Sequence, residues 1–164
     1  MTRLIPFLVR RAFEGASIVW SIGLLLAPVV AGRPASRAAS VGYPFALVVY
    51  AAGSLICHQR PERSFHLLGA QMPVCARCTG IYASAAVTAC FMLFRARSPA
   101  VGSSRTGSPA GSGFGRTALL VSALPAAATL VYEWTTGQTP GNWIRAISGA
   151  PLGAAVAWIM SAVR

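Results

Sequence analysis

Residues able to bind a metal or to carry out thiol chemistry are concentrated in two short patches of an otherwise apolar chain. The first patch reads Ile-Cys-His-Gln-Arg-Pro-Glu-Arg-Ser-Phe-His from Ile56 to His66, and the second reads Pro-Val-Cys-Ala-Arg-Cys-Thr-Gly-Ile-Tyr from Pro73 to Tyr82. Together they hold three of the four cysteines and both histidines. This clustering of scarce residue types is the strongest functional signal in the sequence.

The Cys-x-x-Cys pair formed by Cys75 and Cys78 predicts a metal site. Two spacer residues let both thiolates reach one ion, and a further cysteine and histidine complete a tetrahedral zinc set. Cys57 and His58 supply these ligands if the two patches lie side by side. Successive helical residues diverge by about 100°, so both bind one ion only if the helix ends there. Otherwise His66 is the alternative fourth ligand.

The same cysteines are compatible with a redox site. A helix N-terminus and Arg77 would lower the thiol pKa of the Cys75–Cys78 pair, which suits disulfide exchange. Cys57 would then be the resolving thiol and a quinone the oxidant. A third interpretation is simple packing, which we also assign to Cys90 in mid-helix. A thiol–disulfide oxidoreductase is therefore the alternative to a metal centre.

Charged residues of the same patches are candidates for binding an anion or a lipid headgroup. They are Arg60, Glu62, Arg63 and Arg77, and arginine makes bidentate contacts with phosphate and carboxylate groups. A lipid-headgroup enzyme using Arg60, Glu62 and Arg63 is thus a further alternative. The other interpretation is an interfacial ion-pair cluster that positions the connection.

A second polar connection contains Glu133, Asn142 and Arg145. Glu133 and Arg145 lie slightly inside their apolar stretches, where ionisable groups are unfavourable unless they are paired or functional. We therefore expect an ion pair between Glu133 and Arg145 across the connection.

Five apolar stretches must position these patches. Each has roughly 15 to 21 residues, and about 20 are needed to cross a 30 Å hydrocarbon core. They run from about Ala16 to Ala31, Tyr43 to Cys57, Thr79 to Phe94, Thr117 to Trp134, and Trp143 to Val163. The sequence predicts an all-α polytopic membrane protein, a single integral membrane domain over residues 1–164 with about five transmembrane helices. The cysteine-histidine connection joins helices 2 and 3, which we expect to form an antiparallel hairpin.

Composition excludes most soluble classes of protein. Hydrophobic residues make up 55% of the chain and charged residues 10%, whereas soluble domains are about 25% charged. The 14 basic residues are all arginine, and they flank apolar stretches instead of clustering on a solvated face. Nucleic-acid binding requires such a cluster, so we expect the lipid bilayer and no nucleic acid as a partner.

Two segments are expected to lie outside the helical body or at its margin. Residues 95–116 interleave Gly, Ser, Pro and Arg, which predicts a flexible linker between the third and fourth helices. The N-terminal segment resembles a signal peptide, with Arg3, Arg10 and Arg11 before an apolar run. Its leading polar stretch is long and further apolar stretches follow, so we expect it to remain uncleaved.

The positions of the arginines bear on membrane orientation. If the N-terminus, the cysteine connection and the second polar connection share one face, each face carries seven arginines and the two faces tie. If Arg60, Arg63 and Arg77 are discounted as site residues, the excess puts the linker in the cytoplasm and the cysteine connection outside.

The two patches resemble the signature of the membrane-protein family called domain of unknown function 2085. The similarity is close from Cys57 to Tyr82, and looser around Asn142, Arg145 and Gly149. It implies a small multi-span bacterial or archaeal membrane protein and attaches no activity to it. This chain differs from the family pattern in its Gly-Ser-rich linker and in a less acidic segment from Thr135 to Asn142.

Overall fold

Five α-helices make up nearly all of the computed structural model, which describes residues 4–33, 37–97 and 112–162. The connection between the second and third helices contains a short 3₁₀ helix and two two-residue antiparallel strands. The elements are α1 (Leu4–Ala31), α2 (Arg37–Ile56), the 3₁₀ helix (Pro61–Arg63), β1 (His66–Leu67), β2 (Ala70–Gln71), α3 (Ala76–Arg97), α4 (Ser112–Thr136) and α5 (Asn142–Ala162). The predicted linker at residues 95–116 is helical up to Arg97 and from Ser112 onward, and its remainder lies outside the described residues.

Four of the helices are long and apolar enough to cross a bilayer. Large apolar side chains remain exposed on them, as lipid contact requires; examples are Ile22, Leu25, Val87, Phe91, Leu120, Leu124 and Ile147. In α2 (20 residues) the described apolar stretch is Gly42–Ile56, which spans about 22 Å at ~1.5 Å per residue. The chain is therefore a multi-pass helical membrane protein with four long candidate spans, and α2 is a fifth helix whose described apolar stretch is shorter.

Glycines allow α3 and α5 to pack closely at the centre of the bundle. A Cβ atom on Gly149 would collide with the carbonyl oxygen of Arg77, and one on Gly153 with that of Ile81. Small residues of this kind let membrane helices approach backbone to backbone. On the flanks of this pair, α1 packs against α3 and α4 packs against α5.

The direction of α1 decides which ends of the helices share a face. Ser21 donates a hydrogen bond of 2.9 Å to the carbonyl of Tyr82 inside α3, whereas Gly32, just after α1, packs on the carbonyl of Leu68 in the connection before α3. Later positions in α1 thus contact earlier positions in the chain, first inside α3 and then in the connection that precedes it. Helices α1 and α3 are therefore antiparallel, and α1 ends on the side of the cysteine connection.

This arrangement differs from the expected one, in which the N-terminus and the cysteine connection share a face. The expectation assumed that α2 crosses the bilayer and packs against α3 as a hairpin. Among the described helices, α2 packs mainly on the C-terminal half of α1, where Gly42 meets Val30 and Val49 meets Gly23. The start of α1 consequently lies at the opposite end of the bundle from the cysteine connection.

Candidate metal centre

Three cysteines converge where α2 ends and α3 begins. Cys57 follows the last residue of α2, Cys75 precedes α3, and Cys78 lies in its first turn. Their Sγ atoms all lie within 4.8 Å of one another. The backbone N–H of Cys75 donates a hydrogen bond of 3.2 Å to the Cys57 sulfur. The two sequence patches are thus neighbours in space, although no helical hairpin brings them together.

Gln59 fastens the chain before Cys75 to the end of α2. Its backbone has a left-handed φ of 46°, and its side-chain amide donates to the carbonyls of Tyr50 at 2.8 Å and Pro73 at 2.7 Å. In return, the Gln59 carbonyl accepts a hydrogen bond from the Gln71 side chain. Gly53 completes the contact, because any Cβ there would strike the Pro73 carbonyl and the Gln59 amide. Sequence reasoning missed both positioning residues, and the only signal was that Gln59 lies inside the cysteine patch.

The two histidines differ in their relation to the sulfurs. His58 is exposed but lines the same cleft as the three cysteines. His66 is exposed in β1. In the described part of the chain, neither histidine belongs to the group of ligand atoms that includes the three sulfurs. Cys90 lies elsewhere, in the wall of an apolar cavity of about 350 Å³ between α1 and α3.

The Cys75 thiol is unusually acidic. The Cys78 thiol, the backbone N–H groups of Cys78 and Arg77 and the Cys57 thiol all donate to its sulfur, and they lower the pKa of Cys75 to about 5. Burial acts in the opposite direction but is outweighed. A thiolate at this position is a good metal ligand and a good nucleophile.

Glu133 near the end of α4 binds three arginines. Its carboxylate lies 2.7 Å from Arg77, 2.7 Å from Arg145 and 3.5 Å from Arg63. This confirms the ion pair expected between Glu133 and Arg145. Arg77 also donates to Thr129 in α4 at 2.9 Å. One buried negative charge thus faces three positive charges, which ties α3, α4, α5 and the cysteine connection together.

The second polar connection is docked on the cysteine connection. Asn142, the first residue of α5, donates from its side chain to the carbonyl of Ser64 at 3.0 Å, and Ser64 is buried. The rings of Phe65 and Trp143 lie 5.1 Å apart beside this bond. Asn142 therefore holds the cysteine connection, at Ser64, against the start of α5.

The four charged candidates for anion binding fall into two pairs. Arg63 and Arg77 contact Glu133, whereas Arg60 and Glu62 are exposed and lie 4.0 Å from each other. An exposed pair at this distance contributes little to stability. The lipid-headgroup enzyme that relies on Glu62 stays a prediction, since no contact in the described chain orients that carboxylate further.

A cleft of about 460 Å³ opens beside the sulfurs. Its walls combine sulfur, cationic and apolar groups, and its apolar part comes from the ends of α2 and α4. The lining residues are Ile56, Cys57, His58, Gln59, Arg60, Arg63, Cys75, Cys78 and Trp134.

Comparison with known proteins gives a family match over most of the chain. The profile of the family DUF2085, described as "Predicted membrane protein", matches residues 57–159. An uncharacterized protein of Methanocaldococcus jannaschii is 61% identical over 36 residues, covering 22% of this chain and 23% of the relative. An uncharacterized protein of Methanothermobacter thermautotrophicus is 60% identical over 30 residues, covering 18% and 27%. The chain thus spans about a quarter of the length of the curated relatives it matches. No solved structure matches the chain.

Proposed function

We propose that this chain, which belongs to the DUF2085 family of predicted membrane proteins, binds one zinc ion at the membrane surface through Cys57, Cys75 and Cys78. The observation that carries the proposal is the convergence of three sulfurs, from residues 57 to 78, within 4.8 Å of one another. No other group of three or more metal-ligating residues of this kind occurs among the described residues.

The donor set fits zinc. Two sulfurs that bind one tetrahedral zinc at ~2.3 Å are about 3.8 Å apart, so small side-chain rotations within the 4.8 Å group suffice. Thiolates are the ligands that zinc favours in structural sites, and the lowered pKa of Cys75 provides one at neutral pH. His58, which lines the same cleft, is the proposed fourth ligand, with His66 as the alternative.

The ion would act as a cross-link between the end of α2 and the start of α3. These two helices make few direct contacts with each other among the described residues, so the connection between them depends on hydrogen bonds such as those of Gln59. A structural or regulatory metal at this position would stabilise that connection, because ions that bind only the folded chain add their binding energy to folding.

Metal analysis of the full chain, purified in detergent without chelator, tests the proposal. We expect about one zinc per chain in the native protein and in Cys90→Ser, and loss of the metal together with thermal stability in Cys75→Ser and Cys78→Ser. Comparison of the zinc content of His58→Ala with that of His66→Ala identifies the fourth ligand. Native protein that stays metal-free with reactive thiols after incubation with zinc would contradict the proposal.

A thiol–disulfide oxidoreductase is the second candidate, favoured by the acidity of Cys75 next to Cys78. In this case the two thiols together would give up two electrons and two protons to a quinone. The products would be a Cys75–Cys78 disulfide and a quinol. A reversible disulfide with quinone-dependent turnover in metal-free protein would support this function over the zinc site.

A further inference from the structure

The cleft beside the sulfurs has two chemically different walls. Arg60 and Arg63 supply cationic groups on one side, and Ile56 and Trp134 supply apolar surface on the other. Both apolar residues are exposed, at 53% for Ile56 and 79% for Trp134, and each lies at the end of an apolar helix. Tryptophan at such a position is typical of the boundary between lipid headgroups and acyl chains. The cleft therefore suits an amphiphile more than a wholly polar ligand.

The cationic wall has hydrogen-bonding capacity to spare. Arg63 shares the single Glu133 carboxylate with Arg77 and Arg145, and its Nε atom is buried with no hydrogen-bond partner in the described chain. Arg60 reaches only the exposed Glu62, at 4.0 Å. A buried donor such as the Arg63 Nε is unfavourable without a partner, and the exposed guanidinium of Arg60 lines the same cleft. An anion with several acceptor oxygens would supply that partner.

We propose that this cleft binds the phosphate group of a membrane phospholipid, with Arg60 and Arg63 holding the phosphate. Guanidinium groups bind phosphate through paired charge-assisted hydrogen bonds, and the apolar residues Ile56 and Trp134 contact the glycerol and the upper acyl chains. The site goes beyond the zinc centre and does not require the metal. The phosphate would bind to Arg60 and Arg63, whereas zinc would bind to the three sulfurs.

Binding of short-chain phosphatidic acid to the full chain in detergent tests the proposal, with diacylglycerol of the same chain length as the ligand lacking phosphate. We expect Arg60→Gln to weaken phosphatidic acid binding about tenfold, since a hydrogen bond to a charged group contributes about 1.5 kcal/mol or more. Arg116→Gln, the same charge change near the other end of α4, should alter binding less than about twofold. Zinc content should be unchanged in Arg60→Gln.

Several outcomes would overturn the assignment. Equal binding of diacylglycerol, or equal weakening by Arg60→Gln and Arg116→Gln, would exclude a phosphate site at this cleft. Loss of zinc in Arg60→Gln would mean that this arginine acts through the fold of the cysteine connection. Inorganic phosphate that displaces phosphatidic acid at equal concentration would retain the phosphate site and overturn its assignment to a lipid.

Discussion

The sulfur of Cys57 accepts a hydrogen bond of 3.2 Å from the backbone N–H of Cys75, which lies 18 residues further along the chain. This bond joins the end of α2 to the start of α3 at the point where the third sulfur, that of Cys78, also lies. The candidate metal centre therefore depends on how the intervening connection folds back and on the contacts that hold it.

Gly53→Ala should destabilise the protein and weaken zinc binding. The added Cβ would strike the Pro73 carbonyl and the Gln59 amide, and overpacking of this kind costs about 1–3 kcal/mol. Thermal unfolding and zinc affinity would both be measured in detergent. Gly15→Ala is the matched control, because nothing lies within 4 Å of a Cβ there. Equal behaviour of the two variants would show that the Gly53 contact does not position the cysteines.

Glu133→Gln should be strongly destabilising. The substitution leaves Arg77 and Arg145 without the charge that they contact at 2.7 Å, and removal of one partner from a buried ion pair costs about 3–5 kcal/mol. Glu62→Gln, at an exposed pair, should change stability by less than about 1 kcal/mol. Thermal unfolding of the two variants gives the comparison, and a Glu133→Gln protein as stable as Glu62→Gln would contradict a stabilising role for the arginine cluster.

Alkylation of metal-free protein should reveal one thiol that reacts well below the usual pH range. Because hydrogen bonds lower the pKa of Cys75 from 9.0 to about 5, its reaction with iodoacetamide should already be near its plateau at pH 7. The same shift favours the folded metal-free chain increasingly as the pH rises from 5 toward 9, and this contribution is lost as the pH falls through 5. Mass spectrometry of pH-dependent labelling, with Cys75→Ser as the control, measures the effect. A midpoint near pH 9 would contradict it.

Membrane sidedness should follow the arginines once the direction of α1 is known. Arg10, Arg11, Arg95 and Arg116 lie at the end of the bundle opposite to the cysteine connection. Arg97 at the end of α3 lies there too. With Arg60, Arg63, Arg77 and Arg145 set aside as residues of the candidate site, Arg33 and Arg37 remain on the cysteine side. The arginine excess predicts that the cysteine side faces outward.

Cysteines introduced at two exposed positions test this orientation. On intact cells, a membrane-impermeant maleimide should label Leu68→Cys in the hairpin turn, whereas Gly113→Cys at the start of α4 should be labelled only after lysis. The parent protein gives the background from its native thiols. The reverse labelling pattern would invert the topology.

The sequence by itself determined the class of the protein and the location of its cysteine cluster. Long apolar runs identify transmembrane helices directly, since each span needs about 20 apolar residues. The clustering of Cys57, Cys75 and Cys78 in two short patches indicated the candidate metal centre. The Glu133–Arg145 pair was predictable for the same reason, because an ionisable residue inside an apolar run needs a partner.

Only the tertiary structure decided which distant groups meet. The binding of Arg77 to Glu133, 56 residues away, depends on how α3, α4 and α5 pack, and hydrophobic runs do not encode packing partners. The docking of α2 on α1 likewise follows from contacts such as Gly42 with Val30, and it reversed the expected side of the N-terminus. The role of Gln59 could not be predicted from the sequence, because its side chain binds backbone carbonyls that come together only after the connection has folded back.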